Sequence, residues 1–291
     1  MTQKLNALNT VTAFQDPSGK AARTAIVVPC YNEEKRLDKS AFLSFLVSSP
    51  NTDFVFVNDG SKDATLHVLC ALRDTMPARV HVIDLARNSG KAEAVRQGLI
   101  AASEMGAGFV GYWDADLATP LDAIDDFSRI LMKFAETQVV FGARRVMLGH
   151  RIERTLGRRC VSRICATLAR QAVRLPIGDT QCGAKLMRNT PVLRKAIANP
   201  FSAGWLFDVE LFARLSSQMS QKRFAFYEQP LAEWTEVAGS KVSGAVIAKS
   251  GIRMLQLICE MRFGIAFGKG KEIEASARIL PATIPAQAEA A

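Results

Sequence analysis

Short apolar runs alternate with longer amphipathic segments through the first half of the chain. The short runs are rich in β-branched and aromatic residues, which is typical of buried strands, and the segments between them space apolar residues as a helix does. The runs predict strands over residues 24–29, 53–58, 79–84, 108–114 and 137–142, and the segments predict helices over residues 33–48, 62–76, 90–104 and 120–135. Strands that alternate with helices in this way indicate a mostly parallel sheet with helices on both faces.

The second half of the chain is less regular. Its predicted elements are helices over residues 159–174 and 208–217 and a strand over residues 224–228. Residues 246–267 mix apolar positions with Lys249, Arg253 and Arg262, which fits a core helix and a basic helix lying on a membrane equally well. The chain is accordingly divided into a flexible leader, a main domain, a basic amphipathic helical segment and a disordered tail, at residues 1–22, 23–245, 246–277 and 278–291.

Composition places this chain of 291 residues among ordinary globular proteins. Hydrophobic residues make up 48% and charged residues 22% of the sequence, which excludes a wholly disordered or collagen-like chain. There is no apolar run of 18 residues and no apolar centre of a secretory signal, so we expect a cytoplasmic protein without a transmembrane helix. Six cysteines without a Cys-x-x-Cys pair and three scattered histidines indicate neither a zinc site nor a disulfide scaffold.

Positive charge is concentrated in one segment of the chain. The formal net charge is +9, and residues 144–174 hold nine arginines against one acid, Glu153, which gives this segment a charge of +8. Because the planar guanidinium suits bidentate binding of phosphate, the segment predicts a phosphate, a membrane surface or a nucleic acid as partner, with a solvated helix face as the alternative. Nucleic acid is disfavoured because the segment has no aromatic residue on which bases could stack.

Polar side chains follow four of the predicted strands. They are Tyr31, Asp59, Lys91, and the pair Asp114 and Asp116. Parallel strands end at one edge of a sheet, where open α/β sheets bind ligands, so we expect these side chains around one crevice. Tyr31 could stack on a base, Asp59 could accept a base N–H, and Lys91 suits a phosphate. Two carboxylates on one side of an extended segment could hold a divalent cation, so this edge predicts a site for a nucleotide diphosphate.

Seven motifs resemble those of a known enzyme family. The first three resemble family 2 glycosyltransferases with the GT-A fold and are Val-Val-Pro-Cys-Tyr-Asn-Glu-Glu over residues 27–34, Val-Asn-Asp-Gly-Ser over 57–61 and Asp-Ala-Asp over 114–116. The later four resemble the branch of dolichyl-phosphate beta-glucosyltransferases and polyprenyl-phosphate glycosyltransferases. They are Gly-Ala-Arg over residues 142–144, Asp-Thr-Gln-Cys-Gly over 179–183 with Lys185, Trp-Leu-Phe-Asp-Val-Glu over 205–210 and Glu-Trp-Thr-Glu-Val-Ala-Gly-Ser-Lys over 233–241. The resemblance covers about residues 24–260.

The resemblance implies a fold and an activity. The fold is an α/β, Rossmann-like GT-A domain with a mostly parallel sheet, helices on both faces and an extension of helices and strands on the acceptor side. The activity is an inverting, metal-dependent transfer of a hexose, glucose from UDP-glucose, to a polyprenyl or dolichyl phosphate. A family 2 enzyme with a soluble hydroxyl acceptor is the alternative, and a basic nucleic-acid-binding protein is the disfavoured alternative of another class.

The candidate site residues combine this resemblance with the chemistry of the strand ends. Nucleotide binding is assigned to Pro29, Tyr31, Glu33, Asp59, Lys91 and Asp114, and Mg²⁺ or Mn²⁺ to Asp114 and Asp116. The candidate catalytic residues are Asp116, Asp179, Asp208 and Arg144. The sugar and acceptor pocket is assigned to Arg145, Arg158, Arg159, Gln181, Trp205 and Lys241.

The acceptor decides whether a general base is needed. A phosphate monoester, with a second pKa of about 6, is largely a dianion at neutral pH and can attack without one. A hydroxyl would need a base, and Asp179 and Asp208 are both candidates.

Membrane attachment is expected to be peripheral and electrostatic. Eukaryotic members of this branch have an N-terminal membrane helix, for which the sequence shows no equivalent, and Ala118 stands where many mannosyl relatives have Gln. The arginines of residues 144–174 and the basic C-terminal segment would instead attach the protein to the anionic inner face of the membrane.

Overall fold

The computed structural model describes residues 22–152, 166–167, 169–235, 244–263 and 277–280. Within these ranges the strands are β1 Thr24–Cys30, β2 Thr52–Asn58, β3 Val80–Leu85, β4 Phe109–Trp113, β5 Val139–Ala143, β6 Arg151–Ile152, β7 Ala184–Arg188, β8 Phe226–Pro230, β9 Glu233–Trp234 and β10 Ala277–Leu280. The helices are α1 Lys39–Ser48, α2 Thr65–Thr75, α3 Lys91–Glu104, α4 Ala123–Lys133, α5 Pro191–Ile197, α6 Phe207–Ser217, α7 Lys222–Ala225 and α8 Gly244–Phe263, with a 3₁₀ turn at Gly204–Leu206.

Eight of these strands form one sheet in the order β10-β3-β2-β1-β4-β7-β5-β8. Strands β3, β2, β1 and β4 are parallel neighbours, as are β5 and β8. Strand β7 is antiparallel to both β4 and β5, and β10 is antiparallel to β3. The six parallel strands therefore end at one edge, called here the carboxyl edge, and the predicted mostly parallel sheet is confirmed.

Apolar side chains alternate between the two faces of the sheet and build a core on each. Val27, Val55 and Val57 pack on one face with α3, α5 and α6. Phe54 and Phe56 pack on the other face with α1, α2 and α4. Successive residues of a strand point to opposite faces, so continuous apolar strands such as β1 and β2 require a helical layer on each side.

Several predicted boundaries are wrong, among them the starts of α2 and α4, and for two others the local reason is clear. The first helix begins at Lys39 instead of residue 33, because Asn32 has a φ of 53° and the Asp38 side chain caps the helix by accepting from Ala41 N at 3.0 Å. The strand predicted over residues 224–228 begins at Phe226, because the short helix α7 occupies Lys222–Ala225.

The structure also contains elements that the sequence pattern did not predict. Strand β7, helix α5 and strand β10 are the main ones. Residues 278–280, which the sequence-based division places in a disordered tail, pair with β3.

Helix α8 packs on the core instead of standing alone. Met254 is fully buried on it, and Arg253 donates to Ser202 Oγ at 3.0 Å and to Glu260 at 2.9 Å. Of the two readings of this stretch, a core helix is therefore the one that these contacts favour, although Ile252 and Leu255 remain exposed. Within the described part of the chain, no helix is long and apolar enough to cross a bilayer.

Candidate active site

Hydrogen bonds link the loops that follow β1, β2 and β3 at the carboxyl edge. Asn32 N, after β1, donates to Ser61 Oγ, after β2, at 3.0 Å. The Asp59 carboxylate, also after β2, accepts from Ser89 N at 2.7 Å and from Gly90 N at 2.9 Å, just before α3. Burial raises the pKa of Asp59 in spite of these two donors. The predicted convergence of strand ends is thus present as a bonded network.

Gly60 makes this network possible. Its φ is 59°, and a Cβ at this position would overlap the backbone of Arg87 and Asn88 in the neighbouring loop. Only glycine combines that backbone angle with so close an approach of two loops. The turn sequence Asn58-Asp59-Gly60 therefore serves to bring the β2 and β3 loops together.

Asp114 and Asp116 follow β4 at the same edge. Asp116 Oδ1 accepts from Ala118 N at 3.1 Å. Burial and the adjacent negative charge of Asp114 raise the pKa of Asp116. Two neighbouring carboxylates that disfavour each other's charge are stabilised by a cation, and their oxygens suit Mg²⁺ or Mn²⁺.

In the described part of the chain, these two carboxylates are not joined by a larger set of metal-binding side chains. Among the described residues there is no group of three or more His, Cys, Asp and Glu side chains that could hold a metal ion. A divalent cation here would complete its coordination with oxygens of a bound diphosphate and of water. The donor set therefore fits a cation that binds together with a nucleotide diphosphate.

Lys91 lies against this pair. Its Nζ is 2.5 Å from Asp114 Oδ1, and its side chain is 43% exposed. Burial opposes the charge of Lys91, but the carboxylates of Asp114 and Asp208 outweigh it and raise the pKa of the amine. A charged lysine with access to solvent thus stands at the first residue of α3, where a helix N-terminus also favours anions.

Gly183 sets the position of Asp114. Asp114 N donates to Gly183 O at 3.0 Å, and a Cβ on Gly183 would overlap the Asp114 carboxylate. We expect Gly183→Ala to displace this carboxylate and lower the activity of the site about tenfold or more, since misplacement of about 1 Å can cost about a hundredfold. Steady-state kinetics check this result.

Gly251→Ala is the matched control for Gly183→Ala. Nothing lies within 4 Å of a Cβ at Gly251, which is in helix α8. Its activity should equal that of the wild type. Equal activity of the Gly183→Ala and Gly251→Ala variants would show that the Asp114 position does not matter for activity.

Arg144 and Asp179 form a closed pair after β5. Arg144 donates from Nε to Asp179 Oδ2 at 2.7 Å and from Nη2 to Oδ1 at 2.8 Å. The same carboxylate accepts from Arg144 N at 3.1 Å and from Gln181 N at 3.2 Å. The guanidinium lies over the Trp234 ring, 5.2 Å from its centroid. Four donors thus engage both oxygens of Asp179.

Lys185 and Asp208 form a second, deeper pair. Lys185 Nζ is 2.8 Å from Asp208 Oδ1, donates to Cys182 O at 2.5 Å, and belongs to a side chain that is fully buried. It lies over the Tyr112 ring, 5.0 Å from the centroid. Burial raises the pKa of Asp208 and lowers the pKa of Lys185, so each charge depends on the other for its stability.

The remaining candidates are distributed around these groups. Arg145 pairs with Glu228 at 3.0 Å and is 54% exposed. Glu33 lies 3.6 Å from Arg36, and Trp205 packs against the apolar core. Pro29 lies near the end of β1 and Tyr31 directly follows the strand, as predicted. Three candidates lie outside the described residues: Arg158, Arg159 and Lys241.

Sequence reasoning did not single out two residues that shape this site. They are Trp234, which lies against the Arg144 guanidinium, and Gly183, whose lack of a side chain leaves room for the Asp114 carboxylate. Each lies inside a motif that was used only as evidence of the family resemblance. No local signal marks them, because their partners are distant in the chain.

Comparison with known proteins places the chain in a family. The model of the family "Glycosyl transferase family 2" matches residues 25–194. The dolichyl-phosphate beta-glucosyltransferase of Drosophila melanogaster is 29% identical over 82% of this chain and 74% of that protein. The human protein of the same name is 31% identical over 75% of this chain and 69% of the relative.

Solved structures share the fold. Glucosyl-3-phosphoglycerate synthase of Mycobacterium tuberculosis matches with a TM-score of 0.60 and 19% identity over 84% of this chain and 82% of that chain. Its complex with Mn²⁺ and UDP-glucose matches with a TM-score of 0.58 and 19% identity over 89% and 87%. With a family match along more than half of its length, this chain belongs to glycosyl transferase family 2 and is a glycosyltransferase with a GT-A-like fold.

Proposed function

We propose that the protein transfers glucose from UDP-glucose to a polyprenyl phosphate with inversion at the anomeric carbon. The choice of sugar and acceptor is supported by the dolichyl-phosphate beta-glucosyltransferases that resemble it along most of its length. The choice of donor is supported by the structural relative, whose complex contains Mn²⁺ and UDP-glucose.

The donor would bind at the carboxyl edge of the sheet. Tyr31 and Asp59 would contact the uracil base, with Pro29 and Glu33 beside them. Asp114 and Asp116 would hold Mg²⁺ or Mn²⁺, which when bound neutralises charge on the diphosphate of the leaving nucleotide. Lys91 is 2.5 Å from Asp114 in the donor-free protein, and its flexible amine can turn to a phosphate oxygen once a cation takes its place.

The state of the two candidate bases carries the choice of a phosphate acceptor. The Asp179 carboxylate receives four hydrogen bonds, and the Asp208 side chain is 8% exposed and held by Lys185. Both oxygens of Asp179 are thus engaged, and burial keeps the oxygens of Asp208 away from an incoming hydroxyl. A phosphate dianion needs no base, so a site with these two carboxylates can use a phosphate as its acceptor.

The arginines after β5 would then position the acceptor. Arg144 is fixed by Asp179 and Trp234, so that it presents a guanidinium of defined orientation at the end of β5. Arg145 follows it and is 54% exposed. A fixed cation reduces repulsion between the acceptor phosphate and the donor diphosphate and places the attacking oxygen.

A two-way assay of donors and acceptors tests this function. With Mg²⁺ or Mn²⁺, label from UDP-glucose should enter the organic phase when a polyprenyl phosphate is present, and EDTA should abolish this transfer. GDP-mannose and UDP-N-acetylglucosamine are the control donors and should give little or no lipid-bound label. Transfer of label only to soluble saccharides would overturn the phosphate acceptor and support the hydroxyl alternative.

A further inference from the structure

Three consecutive apolar side chains stand exposed in the loop between β5 and β6. Val146 is 69%, Met147 48% and Leu148 101% exposed, and we call residues 146–148 the apolar tip. Single exposed apolar residues are ordinary on a protein surface, but a contiguous group indicates an interaction site.

The loop that carries the apolar tip is held at both ends. Arg144, at its start, is bound through side chain and backbone to Asp179. After the tip, Gly149 turns the chain with a φ of 80°, and His150 Nδ1 lies 2.7 Å from Leu231 O. Arg151 N then donates to Ala232 O at 2.9 Å. With a base fixed in this way, the tip projects from the molecule instead of folding back onto the core.

The apolar tip lies at the same edge of the sheet as the donor site. It follows β5, whose carboxyl end lies at the edge where Asp59 and Asp114 follow β2 and β4. Only Arg144 and Arg145 separate the tip from that strand. A surface that binds the tip would therefore face the candidate acceptor arginines.

The charge near the tip indicates what kind of surface this is. Residues 144–174 carry nine arginines and one acid, and residues 151–174, directly after the tip, carry seven of these arginines. Among the described residues, the exposed Arg145 and Arg151 stand on either side of the tip in the chain. Exposed apolar side chains flanked by cations match the interface of an anionic bilayer, where the apolar side chains enter the acyl boundary and the cations stay among the headgroups. Arginines alone would give adsorption that salt screens, whereas inserted apolar side chains resist salt.

We propose that the apolar tip inserts into the interface of an anionic lipid bilayer and holds the carboxyl edge of the sheet against it. This inference rests on the proposed function, because the reason to hold this edge at the membrane is that a polyprenyl phosphate presents its phosphate there. The sequence predicts attachment to the membrane by charge alone. The proposal adds the insertion of apolar side chains at one defined point, the apolar tip.

A matched pair of double variants tests the proposal. Val146→Ser/Met147→Ser removes two side chains of the tip. Val47→Ser/Met105→Ser removes the same two residue types at 76% and 42% exposure. Val47 and Met105 lie at the ends of α1 and α3, which lead back to the start of β2 and β4, and hence at the opposite edge of the sheet.

Binding is measured by sedimentation with vesicles of phosphatidylcholine and a minority of phosphatidylglycerol. We expect the tip variant to bind about tenfold more weakly than the wild type in both low and high salt, since each apolar side chain removed from water contributes measurably to binding. The control variant should bind as the wild type does. Equal binding of the tip variant and the wild type would overturn the proposal, as would wild-type binding that high salt abolishes.

Activity separates a failure of this inference from a failure of the proposed function. All three proteins should glucosylate a short-chain prenyl phosphate in solution equally, while the tip variant loses transfer to a long-chain acceptor in vesicles. Transfer in solution without tip-dependent vesicle binding would overturn the insertion and leave the function standing. Tip-dependent binding without transfer to any prenyl phosphate would support the insertion and contradict the function.

Discussion

Asp116→Asn is expected to lower glucosyl transfer about a hundredfold to a thousandfold, the range seen when one preorganised electrostatic group is removed from an active site. Asparagine keeps the size of the side chain and an oxygen that can accept from Ala118 N, which lies 3.1 Å from Asp116 Oδ1. It removes the negative charge that, with Asp114, would hold the cation on the donor diphosphate. The loss should therefore appear in kcat, measured at saturating UDP-glucose and Mn²⁺.

The same substitution should leave the melting temperature unchanged or slightly higher. Burial and the charge of Asp114 both disfavour ionised Asp116, so a neutral amide removes a repulsion from the folded state. Calorimetric titration should show that Mn²⁺ binding in the presence of UDP is lost. Asp126→Asn on helix α4, where the side chain is 49% exposed and pairs with Arg129 of the same helix, is the control and should keep full activity. Near-normal turnover of Asp116→Asn would contradict the metal role.

The sheet could be predicted wherever the residues of a strand themselves show a strand pattern. Strands β1 to β5 are runs of apolar residues, and the side chains after β1, β2 and β4 lie at one edge because parallel topology requires it. Residues Asp59, Lys91 and Asp114 could therefore be brought together from the order of elements alone, before any contact was known.

Strand β7 was not predicted because its two cations find their partners far along the chain. Its sequence, Ala-Lys-Leu-Met-Arg, reads as a polar surface segment, yet every residue in it is buried. Lys185 is balanced by Asp208, on another element, and Arg188 donates to Thr137 O and Phe134 O. No local pattern reveals such partners.

The pairing of Asp179 with Arg144 could not be predicted from the sequence either. Its partner Arg144 is 35 residues away, and both were expected to act on ligands. The structure shows instead that each already holds the other. A partner far along the chain thus decides that the Asp179 carboxylate is engaged.

Lys185→Met is expected to destabilise the protein by about 3–5 kcal/mol, the typical cost of leaving one member of a buried ion pair without its partner. Asp208→Leu should lower the free energy of unfolding by a similar amount, because it leaves the fully buried Lys185 amine without its partner. The double variant Lys185→Met/Asp208→Leu should recover most of the loss, since apolar side chains can replace a buried pair at little cost. Denaturant unfolding of the four proteins measures this coupling.

The two single variants should respond to pH in opposite directions. In Lys185→Met, burial without the lysine holds the pKa of Asp208 above its unfolded value of about 4, although Lys91 opposes this, so folding favours the protonated carboxyl. Unfolding then releases a proton, so the stability of this variant falls as pH rises above about 4. In Asp208→Leu, burial without the carboxylate holds the pKa of Lys185 below its unfolded value of about 10, so folding favours the neutral amine. Unfolding then takes up a proton, so the stability of this variant falls as pH drops below about 10.

Unfolding experiments across these two pH windows distinguish a buried ion pair from mere packing. Loss of packing alone would lower stability in both variants by amounts that do not depend on pH, and the double variant would then lose the sum of the two. The exposed pair Arg129 and Asp126, in the corresponding variants Arg129→Met and Asp126→Leu, should show almost no coupling, because water already solvates both charges. Parallel pH profiles for Lys185→Met and Asp208→Leu would contradict the ion pair, whereas profiles of opposite slope would establish that one charge beneath the active site requires the other.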